Sequence, residues 1–409
     1  MGEKIISMPK YFIPLLLVIF FPRNIFSENL GKRIASVPFQ LVGNYIVVET
    51  RVNDSPPLNL ILDTGVRNTI ITELDEKDSL QLSYSKTINL QGLGHGKNIE
   101  ALMSDSNSLR FGKFTLKNRS VCVVKDKLFN LSGQIGTKVN GMLGADFFQD
   151  YVVQIDYSAR RIRFYDIKSF IPPEKYDVMP MNINGRKMYV YLSVLETDTA
   201  HRKIKMLIDT GAELNAWFQT ITSEALHIPE RSIRGRIGEG FSGEIKGIFA
   251  RVPQICLGNY CMKDPVVAFP DSASISGIMA LSDRDGTIGS GFLRRFNLIF
   301  DYRRRNLYFK KNSGFKQPSR YNIAGVEIVQ SFNYIPQTEV THVWEKSPAE
   351  KAGFKEGDII LEIDGQKTFN LKLSEIKNYF ETPMKRKLYV TLFRNGKTIE
   401  SELNMKDRL

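Results

Sequence analysis

The feature that most constrains the fold is an internal duplication. The segment LNLILDTGVRNTI recurs as IKMLIDTGAELNAW, and the Asp residues of the two copies, Asp63 and Asp209, lie 146 residues apart. Two further pairs of segments repeat at almost the same spacing: 109–118 with 255–264, and 140–165 with 285–310. Three pairs in one register indicate two copies of one structural unit, which we place at 36–170 and 177–312.

The residue pattern of both units is typical of β-strands. Apolar and polar residues alternate in YIVVETRV, MYVYLSVL and RIRFY, and Gly, Asn and Asp interrupt the runs. Helical signals are brief, since GADFFQDY and GFLRRF predict one or two turns each. We therefore expect a mainly β protein with two lobes, each a small closed or partly closed sheet.

The sequence after Tyr321 has no counterpart in the repeat. It contains a short helix, SPAEKAG, with Ser347 as its N-cap and Pro348 at its first position, followed by alternating strand and helix patterns. We place a third, small, α+β domain at 321–406.

The amino terminus has the pattern of a secretory signal peptide. Lys4 and Lys10 precede the apolar run YFIPLLLVIFF, and Ser27 is a small residue near its exit. The run is short for a membrane anchor, and no Cys follows it directly, so we expect no transmembrane segment in the mature chain and no lipid attachment. We assign residues 1–27 to a signal peptide and expect an exported protein, periplasmic or secreted.

The chain contains three cysteines. Cys256 and Cys261 flank LGNY, and a two-residue turn there would place them opposite each other on a hairpin, close enough for a disulfide. In an oxidising compartment we expect that disulfide, and the alternative is a pair of reduced strand cysteines. Cys122, in SVCVV, is interpreted as a buried strand residue.

Charge and composition argue against several classes of protein. The chain has 409 residues and a net charge of +12, to which the run DYRRRNLYFKK contributes much. We interpret that run as a solvated hairpin, and it carries no nucleic-acid-binding signature. The four His residues are not clustered, so we predict neither a metal site nor another cofactor.

Asp63 and Asp209 each end an apolar strand of the duplicated unit. A carboxylate in such a place is costly to bury unless its charge is used. A two-fold arrangement of the lobes would bring the two acids together, where they cannot both ionise and therefore share one proton. The ionised carboxylate could then take a proton from water, while the protonated carboxyl protonates a peptide carbonyl.

The residues around each Asp fit this pairing. Two hydroxyls are available to bond the opposite turn, and two glycines leave space for close approach of backbone amides: Thr64, Thr210, Gly65 and Gly211. The sequence resembles the aspartic protease clan over nearly all of 36–312, because the clan's second motif, two apolar residues and Gly, follows some 80 residues later as MLG ending at Gly144 and as TIG ending at Gly289, with Thr287 in place of the first apolar residue. The resemblance implies a bilobal fold with a pseudo-two-fold axis and a catalytic Asp pair supported by crossed strands.

The resemblance also implies a β-hairpin flap over the cleft. GLGHG and GEGFSGE each begin 29 residues after an Asp, and Gly-rich tips suit hairpins that must lift and close. The flap candidates are Gly92, Gly94, Gly238, Gly240 and Phe241. We interpret His95 as a solvent-facing loop residue.

The third domain resembles the PDZ domains of bacterial secreted proteases, on the pattern SPAEKAGFKEGDIILEIDGQ. Such domains bind an extended peptide, often a free carboxyl terminus, as an added strand beside a loop of backbone amides. The resemblance places the peptide-binding residues at Gly325, Val326, Glu327 and Ile328, and the bordering helix near 374–380. The alternative is a packing module that braces the rest of the protein.

Two functions are compatible with the sequence. The first is an exported aspartic endopeptidase whose PDZ domain recognises polypeptide substrates or protein carboxyl termini. The second is an inactive peptide-binding protein, which is favoured by Val66. Pepsin-type lobes carry Ser or Thr after Asp-Thr-Gly, and Ala212 at the equivalent place resembles retroviral-type proteases.

Overall fold

The structure describes most of the sequence after residue 28. The computed structural model describes residues 29–75, 78–94, 96, 98–125, 130–195, 201–220, 226–279, 284–331, 335–381 and 387–409. The predicted signal peptide, 1–27, and His95 lie outside these residues. Among the described helices, none combines the length and the apolar character that crossing a bilayer requires.

The first unit forms the amino-terminal lobe. Its elements are β1 (Arg33–Pro38), β2 (Gln40–Val42), β3 (Tyr45–Val52), β4 (Leu58–Leu62), β5 (Thr69–Ile71), β6 (Tyr84–Leu90), β7 (Ile99–Phe111), β8 (Phe114–Val124), α1 (Leu131–Ile135), β9 (Gly141–Leu143), a 3-10 turn (Ala145–Phe148), β10 (Val152–Asp156) and β11 (Arg161–Tyr165). Strands β2-β3-β4-β9-β5-β8-β7-β6 form one sheet in that order, and a pairing between β3 and β7 closes it. This lobe is therefore a closed sheet.

The second unit repeats this plan in the carboxyl-terminal lobe. Its elements are β12 (Asp177–Pro180), β13 (Asn182–Asn184), β14 (Lys187–Leu195), β15 (His201–Asp209), β16 (Ala216–Phe218), β17 (Ser232–Gly240), β18 (Gly243–Arg251), β19 (Gln254–Leu257), β20 (Tyr260–Lys263), β21 (Val266–Pro270), α2 (Ser272–Met279), β22 (Gly286–Gly289), α3 (Ser290–Leu293), β23 (Phe296–Asp301) and β24 (Asn306–Lys311). The sheet order is β17-β18-β21-β16-β22-β15-β14-β19-β20, with β13 beside β14.

A sheet shared by both units joins the two lobes. Its order is β1-β11-β10-β23-β24-β12, so that three strands of one copy meet three of the other at the antiparallel pair β10–β23. One continuous apolar core fills both lobes, and at their junction the rings of Phe148 and Phe300 lie 4.8 Å apart. The predicted helical turns are present at Ala145–Phe148 and Ser290–Leu293, and the predicted mainly β, bilobal fold class is confirmed.

The third domain packs a small sheet against short helices. Its elements are β25 (Val326–Ser331), β26 (Gln337–Val343), α4 (Pro348–Lys351), β27 (Ile359–Ile363), β28 (Gln366–Lys367), a 3-10 turn (Thr368–Asn370), α5 (Leu373–Glu381), β29 (Lys387–Arg394) and β30 (Lys397–Asn404). The order β25-β26-β27-β29-β30 leaves β25 at an edge. The Ser347 hydroxyl accepts a hydrogen bond from the Glu350 amide and caps α4 as predicted.

Asp146 lies in the core of the amino-terminal lobe, where it is 2% exposed. Neither carboxyl oxygen finds a hydrogen-bond partner among the described residues. Burial raises the pKa of this carboxyl to about 6, although the charges of Arg119 and Arg186 act in the opposite direction. The ionised form is therefore the costly one.

Replacing Asp146 with Asn is expected to stabilise the protein above pH 6. The native state holds the proton more tightly than the unfolded chain, so the contribution of this carboxyl to stability is full below about pH 3.8 and is lost as the pH rises through about 6. That difference in pKa corresponds to about 3 kcal/mol. Thermal melts at pH 4 and pH 8 should show a gain only at pH 8, and the exposed Asp54→Asn should show none. Equal melting of wild type and Asp146→Asn at pH 8 would contradict the assignment.

Candidate active site

Crossed strands at equivalent places in the two lobes position Asp63 and Asp209. In the amino-terminal lobe β9 runs between β4 and β5, and in the carboxyl-terminal lobe β22 runs between β15 and β16. Gly144 directly follows β9, and Gly289 is the last residue of β22. A Cβ at Gly144 would lie 2.5 Å from the Asn68 carbonyl carbon, and one at Gly289 would collide with the Leu214 carbonyl oxygen, so neither crossing admits a side chain.

Thr64 and Thr210 link the two turns by reciprocal hydrogen bonds. The Thr64 hydroxyl donates to the Ile208 carbonyl (2.7 Å) and accepts from the Thr210 amide (3.0 Å). The Thr210 hydroxyl donates to the Leu62 carbonyl (2.6 Å) and accepts from the Thr64 amide (3.2 Å). Both threonines are fully buried, so four hydrogen bonds hold the turns together without competition from water.

The two carboxyl groups face each other and are hydrogen-bonded to one another. Asp63 accepts one backbone amide hydrogen bond, from Gly65 (2.8 Å). Asp209 accepts two, from Gly211 (2.9 Å) and Ala212 (3.1 Å). Because amide donors stabilise the ionised form, Asp209 is the better carboxylate of the pair. The two acids are thus in direct contact, which is the arrangement that a catalytic pair requires.

The electrostatic surroundings reinforce this asymmetry. Burial raises the pKa of the Asp63 carboxyl well above its ordinary value, and the negative charge of Asp209 raises it further. Burial also raises the pKa of Asp209, but there the positive charge of Arg284 acts against it, while Lys187 lowers the pKa of both acids. The two acids therefore titrate as a pair, and the second amide donor and Arg284 favour Asp209 as its ionised member.

Gly65 and Gly211 each lie beneath the carboxyl group of the opposite lobe. A Cβ at Gly65 would be 2.5 Å from Asp209 Oδ2, and one at Gly211 would be 2.5 Å from Asp63 Oδ2. Contacts this short cannot occur, so a side chain at either place must displace the partner acid.

Substituting Gly211 with Ala is expected to lower kcat/KM for peptide cleavage by about 100-fold or more, because a displacement of about 1 Å at a reacting group has effects of that size. Peptide cleavage assays on the purified variant measure this. Gly238→Ala is a matched control, since a Cβ at Gly238 meets no atom within 4 Å. Equal activity of Gly211→Ala and wild type would show that the close approach has no catalytic role.

Two hairpin tips meet over the cleft. We call hairpin β6–β7 flap 1 and hairpin β17–β18 flap 2. The Ser242 amide in flap 2 donates to the Leu93 carbonyl in flap 1 (2.9 Å). Three of the candidate glycines, Gly92, Gly94 and Gly240, are packed against the opposite tip so closely that a Cβ would collide with it. The predicted flap residues thus come together, except that Gly238 has open space around it.

A cavity of about 1210 Å³ lies beneath the flaps. Its lining includes the two acids together with Val66 and Phe241. Val66, which stands where pepsin-type lobes carry a hydroxyl residue, is therefore part of the apolar wall of the cleft. The cavity also contains residues that sequence reasoning missed: Tyr45, Lys187, Tyr189, Arg284 and Trp217. No local motif marks these residues, because they lie on or beside β3, β14, β16 and β22, which only the tertiary fold brings together around the cavity.

The PDZ-like domain is packed against flap 2. Trp344 is stacked on Phe249 of β18, with ring centroids 5.1 Å apart and an interplanar angle of 17°. Glu327 accepts a hydrogen bond from Trp344 Nε1 (2.9 Å) and forms an ion pair with Arg236 of β17 (2.6 Å). One apolar cluster continues from the flap into the domain, so the two form a single packed unit.

The predicted peptide-binding residues of this domain line the same cavity as the two acids. Val326, Glu327 and Ile328 are among them, while Gly325 adopts a φ of +67° just before β25. The amides of Gly325 and Val326 already donate to Asn322 Oδ1 (2.9 and 3.4 Å). Helix α1 of the amino-terminal lobe lies against β25, and its Gln134 carbonyl accepts from Lys377 of α5 (3.1 Å).

Cysteines and metal ligands are two other kinds of group that could take part in chemistry. Cys256 and Cys261 are bonded as a disulfide across β19 and β20, and Cys122 is buried with a free thiol that also borders the cavity. Among the described residues, no group of three or more His, Cys, Asp or Glu is arranged to hold a metal ion.

Two segments of the chain match models of known protein families. Residues 48–147 match the family model for aspartyl proteases, and residues 339–393 match the model for PDZ domains. No curated protein is significantly similar in sequence. The crystal structure of the aspartic proteinase from Irpex lacteus aligns with 70% of this chain and 99% of its own, at 13% identity and a TM-score of 0.43. The protein is an aspartic-type peptidase. It carries a PDZ domain at its carboxyl-terminal end.

Proposed function

We propose that the protein is an exported endopeptidase in which a water molecule, held between Asp63 and Asp209, attacks a peptide bond. The observation that carries this proposal is the hydrogen-bonded pair of carboxyl groups, made unequal by one backbone amide on Asp63 and two on Asp209. Such a pair contains both a base and an acid at one pH.

The proposed reaction uses each acid twice. Asp209 takes a proton from water as the water oxygen bonds to the peptide carbon, and Asp63 gives its proton to the carbonyl oxygen. In the second step Asp209 donates that proton to the amide nitrogen, the C–N bond breaks, and Asp63 recovers a proton from the diol. The pair ends as it began, and no covalent bond to the protein forms.

A library of peptides blocked at both termini tests this proposal. An endopeptidase cleaves internal bonds of such peptides, and mass spectrometry identifies the new termini. Because water attacks directly, added hydroxylamine should yield no hydroxamate product. Failure to cleave any blocked peptide, or formation of hydroxamate, would contradict the proposal.

We propose further that the PDZ domain holds the polypeptide that the cleft cleaves. The support is the cavity that extends from the two acids to Val326, Ile328 and Lys377. Since the amides of Gly325 and Val326 are already bonded to Asn322, we propose that the domain binds an internal segment of the substrate, not its free carboxyl terminus. Cleavage of one peptide with a free and with an amidated terminus should then differ less than about twofold. A large preference for the free terminus would identify a carboxylate-binding PDZ domain.

Export is supported by the apolar run at residues 11–21 and by the disulfide between Cys256 and Cys261, because disulfides persist in oxidising compartments. The protein isolated from its native cell should begin near residue 28 and contain one free thiol. An intact amino terminus with three reduced thiols would place it in a reducing compartment.

A further inference from the structure

One wall of the active-site cavity is lined by three cations. Arg67 follows the first catalytic turn, Lys187 begins β14, and Arg284 precedes β22, and all three border the cavity that contains Asp63 and Asp209. The Arg67 guanidinium lies beside the hairpin that leads into β14, because a Cβ at Gly185 would be 3.1 Å from its Nη2. These side chains thus form a cationic patch from both lobes, which we call the basic wall.

Among the described residues, the charges that act on Lys187 are more positive than negative. Arg284 is 3% exposed and Lys187 is partly buried. The acids that act on Lys187 are Asp209 and Asp63, while Arg284 and Arg67 repel it. Within the described residues, neither the Lys187 ammonium nor the Arg67 guanidinium forms a hydrogen bond or an ion pair. Because the catalytic pair holds one proton, it presents one negative charge to Lys187, which also lies near two arginines.

The corresponding place in the amino-terminal lobe is neutral. Tyr45 is the first residue of β3, as Lys187 is the first residue of β14, and both line the cavity. The duplicated fold therefore presents a phenol on one side of the acids and an ammonium on the other. A charge placed on one side only can discriminate between the two sides of a bound peptide.

We infer that the basic wall binds a carboxylate of the substrate, so that the peptidase prefers an acidic residue at one position on one side of the cleaved bond. A cation without a partner in a partly buried cleft is costly, and a substrate carboxylate entering the cleft removes that cost. This inference rests on the proposed endopeptidase function. The carboxylate comes from an Asp or Glu side chain or from the carboxyl terminus of the substrate.

Paired peptides test the inference. Peptides blocked at both termini carry either Glu or Gln at each of four positions on either side of a bond that the wild type cleaves. Wild type should prefer Glu by about 10- to 100-fold in kcat/KM at one position on one side, the range expected of a hydrogen-bonded charge pair. A second set of peptides, ending in a free carboxylate at that position, separates a terminal carboxylate from a side chain.

Variants of Lys187 identify the cation. The Glu-to-Gln ratio should fall towards 1 in Lys187→Met, persist in Lys187→Arg, and invert in favour of basic peptides in Lys187→Glu. Lys263→Met, on an exposed strand of the same lobe, is the matched control and should leave the ratio unchanged. A Lys187→Met variant that shifts the pH profile of both peptides alike, without changing their ratio, would show that Lys187 acts only on the catalytic pair and would overturn the inference.

Measurements of both binding and cleavage distinguish failure of this inference from failure of the proposed endopeptidase function. If the wild type cleaves peptides but the Glu-to-Gln ratio is near 1 at every position, the inference fails and the endopeptidase function stands. If the wild type cleaves no peptide, the proposed function fails, and calorimetric titration of Asp63→Asn with the same peptides still measures the preference of the cleft. Equal affinity for Glu and Gln peptides in that titration would overturn the inference independently.

Discussion

Replacing Asp209 with Asn is expected to lower kcat/KM for peptide cleavage by about 10³-fold or more, the size of effect that loss of a general base has. Asparagine has nearly the same shape and can still accept from the Gly211 and Ala212 amides, but it cannot take a proton from water. Asp63→Asn should lose as much, because the proton given to the carbonyl oxygen is then missing. Cleavage of blocked peptides, followed by mass spectrometry, measures both.

Two controls accompany this result. The double variant should be about as inactive as either single variant, because residues that act as a unit lose their effect together. The second control is folding, because both single variants should still fold. The pKa of Asp63 is raised on folding, so its carboxyl contributes full stability below pH 3.8 and less as the pH rises. Asp63→Asn should therefore melt no lower than wild type at neutral pH, and substantial activity in either single variant would contradict the assignment.

Replacing Thr210 with Val is expected to destabilise the lobe interface by about 2–4 kcal/mol. Valine has the same shape, but it removes the hydroxyl that donates to the Leu62 carbonyl (2.6 Å) and accepts from the Thr64 amide (3.2 Å). Both backbone groups then stay buried without a partner, and the two catalytic turns lose half of their links. Chemical denaturation measures the free energy of unfolding, and peptide cleavage should fall together with it.

Thr210→Ser is the matched control for this prediction. It keeps the hydroxyl and loses one methyl group, so it should lie within about 1.5 kcal/mol of wild type and retain most activity. If the Thr210→Val and Thr210→Ser variants are equally stable and equally active, the reciprocal hydroxyl hydrogen bonds contribute little to stability or to activity.

The pairing of the two acids at the floor of the cleft could be predicted from sequence, because the duplication places them at equivalent positions. A single Asp-Thr-Gly sequence is an ordinary turn, but Asp63 and Asp209 occupy equivalent positions in two copies of one unit. A two-fold arrangement of those copies brings the two acids together. The hydroxyl links of Thr64 and Thr210 follow from the same symmetry. The short turn Ala145–Phe148 was likewise predicted, since Phe147 and Phe148 carry the apolar side chains that it buries.

Four features could not be predicted, because no local sequence pattern marks them. Arg284 reaches the cavity only because β22 lies beside β15 in parallel, which local sequence does not show. Lys187 occupies the position that Tyr45 occupies in the first copy. The two copies therefore share no motif at this position that would identify Lys187 as a site residue. Helix α1 is too short for a periodic pattern, and the stacking of Trp344 on Phe249 depends on how two domains dock.

The proton shared by Asp63 and Asp209 is tested most directly by a pH titration of the ¹³C-labelled aspartate carboxyl groups by NMR, with Asp63→Asn and Asp209→Asn to assign the signals. We expect the carboxyl groups to titrate in two separated steps, with one proton retained between them. The upper step should have a pKa well above the ordinary value of 3.8. Two carboxyl groups that titrate independently near 3.8 would contradict it.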